Sequence, residues 1–178
     1  MRRAWRSGIY RLPVTVLIVL VACAAPRPAP PGPAPLRPAS SATSTTFGPT
    51  TVSLDAGQSA TITIAADGLS PGATAAQFGV VHNNANTTIS NPQCVGIFAG
   101  ADATQAAQAT GDLLACTSPT SAASGTSGPV LAFTLTNAGG GAETLSFDAA
   151  MTIYLTSTFA PESAGGTNTL TVTNSSSP

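Results

Sequence analysis

The sequence predicts an all-β domain, a β-sandwich of about nine strands with jelly-roll or Greek-key connections. Three observations carry that expectation. From Phe47 onward apolar residues recur with a period of two. Glycine, proline, asparagine and aspartate interrupt the pattern at short intervals, as turns do. No stretch of the same region carries the apolar face of an amphipathic helix.

Residues 1–13 hold four arginines and no acid, and Val14 to Ala22 (VTVLIVLVA) form an apolar run of nine. A span needs about 20 apolar residues, so the run is too short to cross a bilayer but fits the core of an export signal. Two cleavage rules fit the residues at its end. Leu20-Val21-Ala22-Cys23 resembles a bacterial lipobox, which makes residues 1–23 a signal segment and Cys23 the lipidated first residue of the mature chain. Ala22-Cys23-Ala24 before Ala25 also satisfies the small-x-small rule of plain secretion. The lipobox reading tethers the protein to a membrane surface by an acyl anchor alone.

Residues 24–46 read as a linker rich in Pro, Ser and Thr. Seven prolines in the thirteen positions 26–38 favour an extended polyproline II spacer. The domain is expected over 47–174, with 175–178 as a disordered tail. Within it Val52 and Leu54 alternate before Asp55-Ala56-Gly57, and Ala60, Ile62 and Ile64 before Asp67-Gly68. Ala76, Phe78, Val80 and His82 share one face of the next strand, which places the chain's single histidine at the core-facing edge as a capping ring. Val95, Ile97 and Phe98 come next, then the strand containing Leu113 and Leu114. Leu131, Phe133 and Leu135 alternate before a triple glycine; Leu145 with Phe147, Ile153 with Leu155, and Leu170 with Val172 complete the set. ADATQAAQA, 101–109, has helical propensity and reads as one or two helical turns in a connection.

Charge narrows the functions. All six basic residues lie in the first 37 positions, and all seven acids lie after position 54. A domain without a cation is a poor partner for nucleic acid, whose binding rests on counterion release by Lys and Arg. Enzyme chemistry is equally thin. One His, one Tyr (Tyr154), no Lys or Arg and no G-x-S-x-G elbow give no acid, base or nucleophile set, so no catalytic residues are assigned. One His and two cysteines fall short of a zinc or copper site. No cofactor is expected. Asp55, Asp67, Asp102 and Asp112 offer oxygen ligands for a structural Ca²⁺, but no D-x-D-x-D-G loop gathers them.

With Cys23 lipidated, Cys94 and Cys116 are left to pair as a disulfide in an oxidising compartment; the alternative is two unpaired buried thiols.

The order VSLDAGQSATITIAADG, a proline-glycine turn, AAQFGVVHNNANTTIS, then PVLAFTLT, ETLSF and TLTVTN resembles a cohesin-type domain over roughly residues 49–174. The resemblance implies a nine-stranded jelly-roll without catalytic activity, which docks dockerin domains of extracellular, often polysaccharide-associated proteins. Cohesin strands carry a tyrosine followed by Asp-Pro where this chain has His82, Asn83 and Asn84. The family's docking acid is therefore replaced by the amide of Asn83. The strand face opposite Phe78 and Val80, comprising Gln77, Gly79, Val81 and Asn83, is the candidate binding face. Three functions stay open: protein docking, direct carbohydrate or polysaccharide binding, and a structural spacer or surface coat. A planar aromatic sugar platform is disfavoured, because the sole Trp is Trp5; an Asn-lined groove around Asn83, Asn84 and Asn86 is the other polysaccharide option.

Overall fold

The structure is a computed structural model, and it describes residues 43–118, 122–139, 141–166 and 168–175. The expected export signal, Cys23, most of the linker and residues 176–178 of the expected tail lie outside the described residues.

Two sheets pack face to face. The first joins β1 (Ser44–Gly48), β3 (Ser59–Asp67), β8 (Gly128–Asn137), β5 (Thr87–Cys94) and the two-residue β11 (Gly165–Gly166), in the order β11-β1-β3-β8-β5. The second runs β2-β12-β9-β4-β7-β6 and uses β2 (Thr51–Ser53), β12 (Leu170–Thr173), β9 (Glu143–Leu155), β4 (Ala75–His82), β7 (Gly111–Thr117) and β6 (Asp102–Gln108). A short β10 (Pro161–Ser163) pairs with β9. Only the β6–β7 and β9–β10 connections stay within one sheet; every other link crosses the sandwich, as Greek-key topology demands. Nine of these strands have four residues or more, and the surplus over the expected count is the short β2, β10 and β11.

The period-two rows become the core. Ile62 and Ile64 of β3, Leu131, Phe133 and Leu135 of β8, and Ile89 of β5 line the inner face of the first sheet. Ala76, Phe78 and Val80 of β4, Leu114 of β7, Leu145 of β9, and Leu170 and Val172 of β12 oppose them. Each full burial of such a side chain contributes about 1.5–3 kcal/mol. Phe47 stacks on Phe147 with centroids 4.0 Å apart, and the Tyr154 ring meets Phe78 edge-on. The Tyr154 hydroxyl lies 3.2 Å from Thr45 Oγ1 across the two sheets. Burial pushes this phenol well above its ordinary pKa, and the Thr45 hydrogen bond pulls weakly the other way.

Cys94 and Cys116 form a disulfide with Cα atoms 5.7 Å apart, joining β5 of the first sheet to β7 of the second. The expected pairing is present, and it staples the two layers together.

Four expectations need correction. The sandwich starts before residue 47: β1 takes up Ser44, Thr45 and Thr46, and Thr43 and Thr45 are already buried. Those threonines read as linker, but hydrogen bonds satisfy their hydroxyls inside the fold. Residues 102–108 form no helix. They pair with β7 from Asp102 opposite Thr117 to Gln108 opposite Gly111, so a sheet edge overrides alanine's helical preference. Gly96–Phe98 forms a 3₁₀ turn, not a strand, and buries Phe98 in the core. Finally, the two apolar pairs of β9 belong to one 13-residue strand, with a register shift opposite Gln77–Gly79.

Candidate functional site

Two places in the domain gather groups suited to recognition. The first is the outward face of the second sheet. Cross-strand pairing puts Leu155, Ala75 and Thr117 in one row, Ile153, Gln77 and Ala115 in the next, and Gly79 beside Leu113 in the third. The apolar members are half-buried, and Met151 stands 39% exposed beside them. A shallow apolar depression of about 100 Å³ lies between Ala75, Gln77, Ala115, Ile153 and Leu155. Ser163 and Pro161 of β10 border it on one side, and Thr104 and Asp102 of β6 on the other.

The expected binding face meets this surface only in part. Gln77 belongs to it and donates from Nε2 to the Met151 carbonyl oxygen at 3.1 Å. Val81 is half-buried beside Ser146 and Gly111. Gly79 is not presented at all. It is buried, and a Cβ placed there would lie 2.6 Å from Met151 Cβ and 3.0 Å from Asp148 Cβ. The register shift in β9 folds those two side chains over it. Asn83 is exposed but occupied: its Oδ1 accepts the Thr144 N–H at 2.8 Å, which extends the β4–β9 ladder by one rung. The apolar residues of β7 and β9 were missed at the sequence level, because only cross-strand pairing reveals which of them share the Gln77 side.

The second place is the end of the sandwich where β4 stops and β7 and β9 begin. His82 is nine-tenths buried there, and both its ring nitrogens face carboxylates. Nδ1 lies 2.8 Å from Glu143 Oε1, and Nε2 lies 3.4 Å from Asp112 Oδ2. The ring sits at the core-facing edge as expected, with Nδ1 in a hydrogen bond to Glu143. The second carboxylate was not foreseen. Glu143 is 1% exposed, and its Oε2 makes no hydrogen bond to any described residue. Asp112 Oδ1 accepts from Gln105 Nε2 at 2.8 Å, and the same nitrogen lies 2.9 Å from the Ile89 carbonyl oxygen of the opposite sheet. No group of three or more His, Cys, Asp or Glu side chains suited to a metal occurs among the described residues. Asp55, Asp67, Asp102 and Asp112 accordingly do not converge.

No family model matches the sequence, and no curated protein matches it. Solved structures do. The chain is similar to CaCohA2 from Clostridium acetobutylicum, at 14% identity and a TM-score of 0.60, over 76% of this chain and 93% of that one. It is similar to a cohesin module from a Clostridium perfringens family 33 glycoside hydrolase, at 8% identity and a TM-score of 0.60, over 75% and 98%. It is also similar to the third ScaB cohesin of R. flavefaciens, solved with a group 1 dockerin, at 13% identity and a TM-score of 0.53, over 77% and 99%. At these identities the likeness is one of fold, and it extends over nearly the whole of each cohesin. The described domain is cohesin-like, with a cohesin's sandwich architecture.

Proposed function

We propose that this domain is a non-catalytic docking module, exported and held at the bacterial cell surface, whose outward β9–β4–β7 face binds an extracellular protein of dockerin type. One observation carries the reading. An apolar centre of Ile153, Leu155, Leu113 and Ala115, rimmed by Gln, Ser and Thr, lies open on a sheet whose other face is the core. Interfaces are built this way, with an apolar patch inside a polar rim. Two of the similar cohesin structures support it: one holds a group 1 dockerin, and another is a complex of CaCohA2 with CaDoc0917. The acid-only domain favours a partner with basic residues at its rim, since complementary charge speeds encounter.

The test is calorimetry of the purified chain against a panel of dockerin domains. Binding by at least one member is expected. Leu155→Asp, which puts a charge at the centre of the patch, is expected to weaken it by about 2 kcal/mol or more, the scale of an interface hot spot. Binding unchanged by Leu155→Asp places the docking surface elsewhere, and no binding by any member removes the docking reading.

The surface-tether part rests on the lipobox, the proline spacer and a disulfide suited to an oxidising compartment. Mass spectrometry of the mature N-terminus checks it. A diacylglyceryl-modified Cys23 is the expected first residue, and an unmodified chain beginning at Ala25 replaces the tether by free secretion.

A further inference from the structure

We propose a second binding site, for a neutral polyhydroxylated ligand such as one sugar residue of a glycan, in the cavity at the His82 end of the sandwich. It does not depend on the docking reading. The cavity has a volume of about 390 Å³ and lies between the turn after β4 and the β6–β7 hairpin. That falls at the lower end of the roughly 300–1,000 Å³ typical of small-ligand pockets.

The wall chemistry selects the ligand class. Among the described residues its charged or titratable groups are Asp112 and His82, with the Glu143 carboxylate behind the ring. Two carboxylates and no Lys or Arg repel a phosphate or a carboxylate. The remaining polar groups are neutral and of both hydrogen-bonding senses. Asn83 has committed its Oδ1 to Thr144, which leaves an amide donor. Asn84 has committed its Nδ2 to the Ala142 carbonyl oxygen, at 3.3 Å, which leaves an acceptor. Gln108 and Thr110 line the same wall, and neither side chain hydrogen-bonds another described residue. An apolar ligand would strand these groups, at the cost that attends every unsatisfied buried polar atom. An ammonium ion would suit Asp112 but not the amide donors. A hydroxyl donates and accepts at once, so a polyol can satisfy the whole set.

A second observation is independent of that inventory. His82 lines the cavity with its side chain only 10% exposed, and its Nε2 has no hydrogen-bond partner. The 3.4 Å separation from Asp112 Oδ2 is a contact without hydrogen-bond geometry. The nitrogen itself is enclosed, so a ligand hydroxyl meets the Asp112 carboxylate, the more exposed member of the pair, with the ring behind it. The wall is also held in advance of binding. His82 N–H donates to the Thr110 carbonyl oxygen at 2.9 Å, and Gly111 packs so closely that a Cβ there would lie 1.9 Å from Val80 O. Preorganisation of this kind lowers the cost of binding.

Saturation-transfer NMR of the full chain tests the site. The probes are neutral oligosaccharides cut from polysaccharides (glucan, xylan, mannan and chitin fragments), neutral glycans released from glycoproteins, and putrescine as the cationic competitor. Saturation transfer to at least one saccharide is expected at a Kd of about 1 mM or tighter, and the class that binds identifies the source. Gln108→Ala, on an exposed side chain, and Asp112→Asn, which keeps the shape, are each expected to weaken it about tenfold or more, as loss of a hydroxyl-reading group does. Leu155→Asp on the docking face is expected to leave it unchanged. Silence across the saccharides, binding indifferent to both cavity variants, or binding of putrescine alone overturns the proposal.

Discussion

Replacing His82 by alanine is expected to lower the stability of the domain by about 3 kcal/mol, the upper end of the cost of leaving a buried polar group without its hydrogen-bond partner. The side chain of Glu143 is fully buried, and the imidazole 2.8 Å away is the sole hydrogen-bond partner of its carboxylate among the described residues. Without the ring, a carboxylate is left in an apolar enclosure beside Leu145 and Val172 of the core. The cost therefore comes mainly from what is stranded, and the double variant tells this apart from lost packing. His82→Ala combined with Glu143→Leu is expected to recover most of the stability in urea denaturation. If the double variant is no more stable than His82→Ala alone, the ring's contribution is packing. Asp112 touches the same ring at 3.4 Å but is partly exposed, and Asp112→Asn is expected to cost less than about 1 kcal/mol.

Removing the disulfide by Cys94→Ala with Cys116→Ala is expected to cost about 3 kcal/mol, given the 22-residue separation of the two cysteines. For a domain of this size that corresponds to a fall in Tm of about 10 °C. Much of the effect resides in the unfolded chain, which the bridge keeps compact. The variant's urea m-value is therefore expected to rise, because its unfolded state exposes more surface. A stability loss with an unchanged m-value would assign the bridge's contribution to the folded state, where Cys116 is buried between the sheets.

The sandwich was legible wherever one face of a strand is buried and the other wet. Ile62 and Ile64, Phe78 and Val80, and Leu131, Phe133 and Leu135 announce themselves through period two alone. The misread elements lack that contrast. β6 is an edge strand exposed along most of its length, so nothing in ADATQAAQA marks a face, and its alanines speak for helix. β1 opens on hydroxyl residues and buries Thr45 where an aliphatic would mark the face. The candidate sites were harder still. Glu143 and Asp112 lie 61 and 30 positions from His82, and cross-strand register alone brings the three together. Gly79 looked like part of an open face because the irregularity in β9 that covers it has no sequence signature. The cohesin resemblance supplied the fold, but the amide standing in for an acid at Asn83 had no structural meaning until the side chain was seen holding the Thr144 N–H.

The strands nearest the two ends of the domain are paired in parallel: β2 with β12, Thr51 opposite Thr171, and β1 with β11, Ser44 opposite Gly165. A pulling force applied between residue 43 and residue 175 would run along these strands in opposite senses. Their hydrogen bonds, which lie across the strands, would then be strained in shear and have to yield together, whereas a hairpin pulled from its open end unzips one rung at a time. The pairing that closes both sheets near the two ends would therefore resist such a pull in shear.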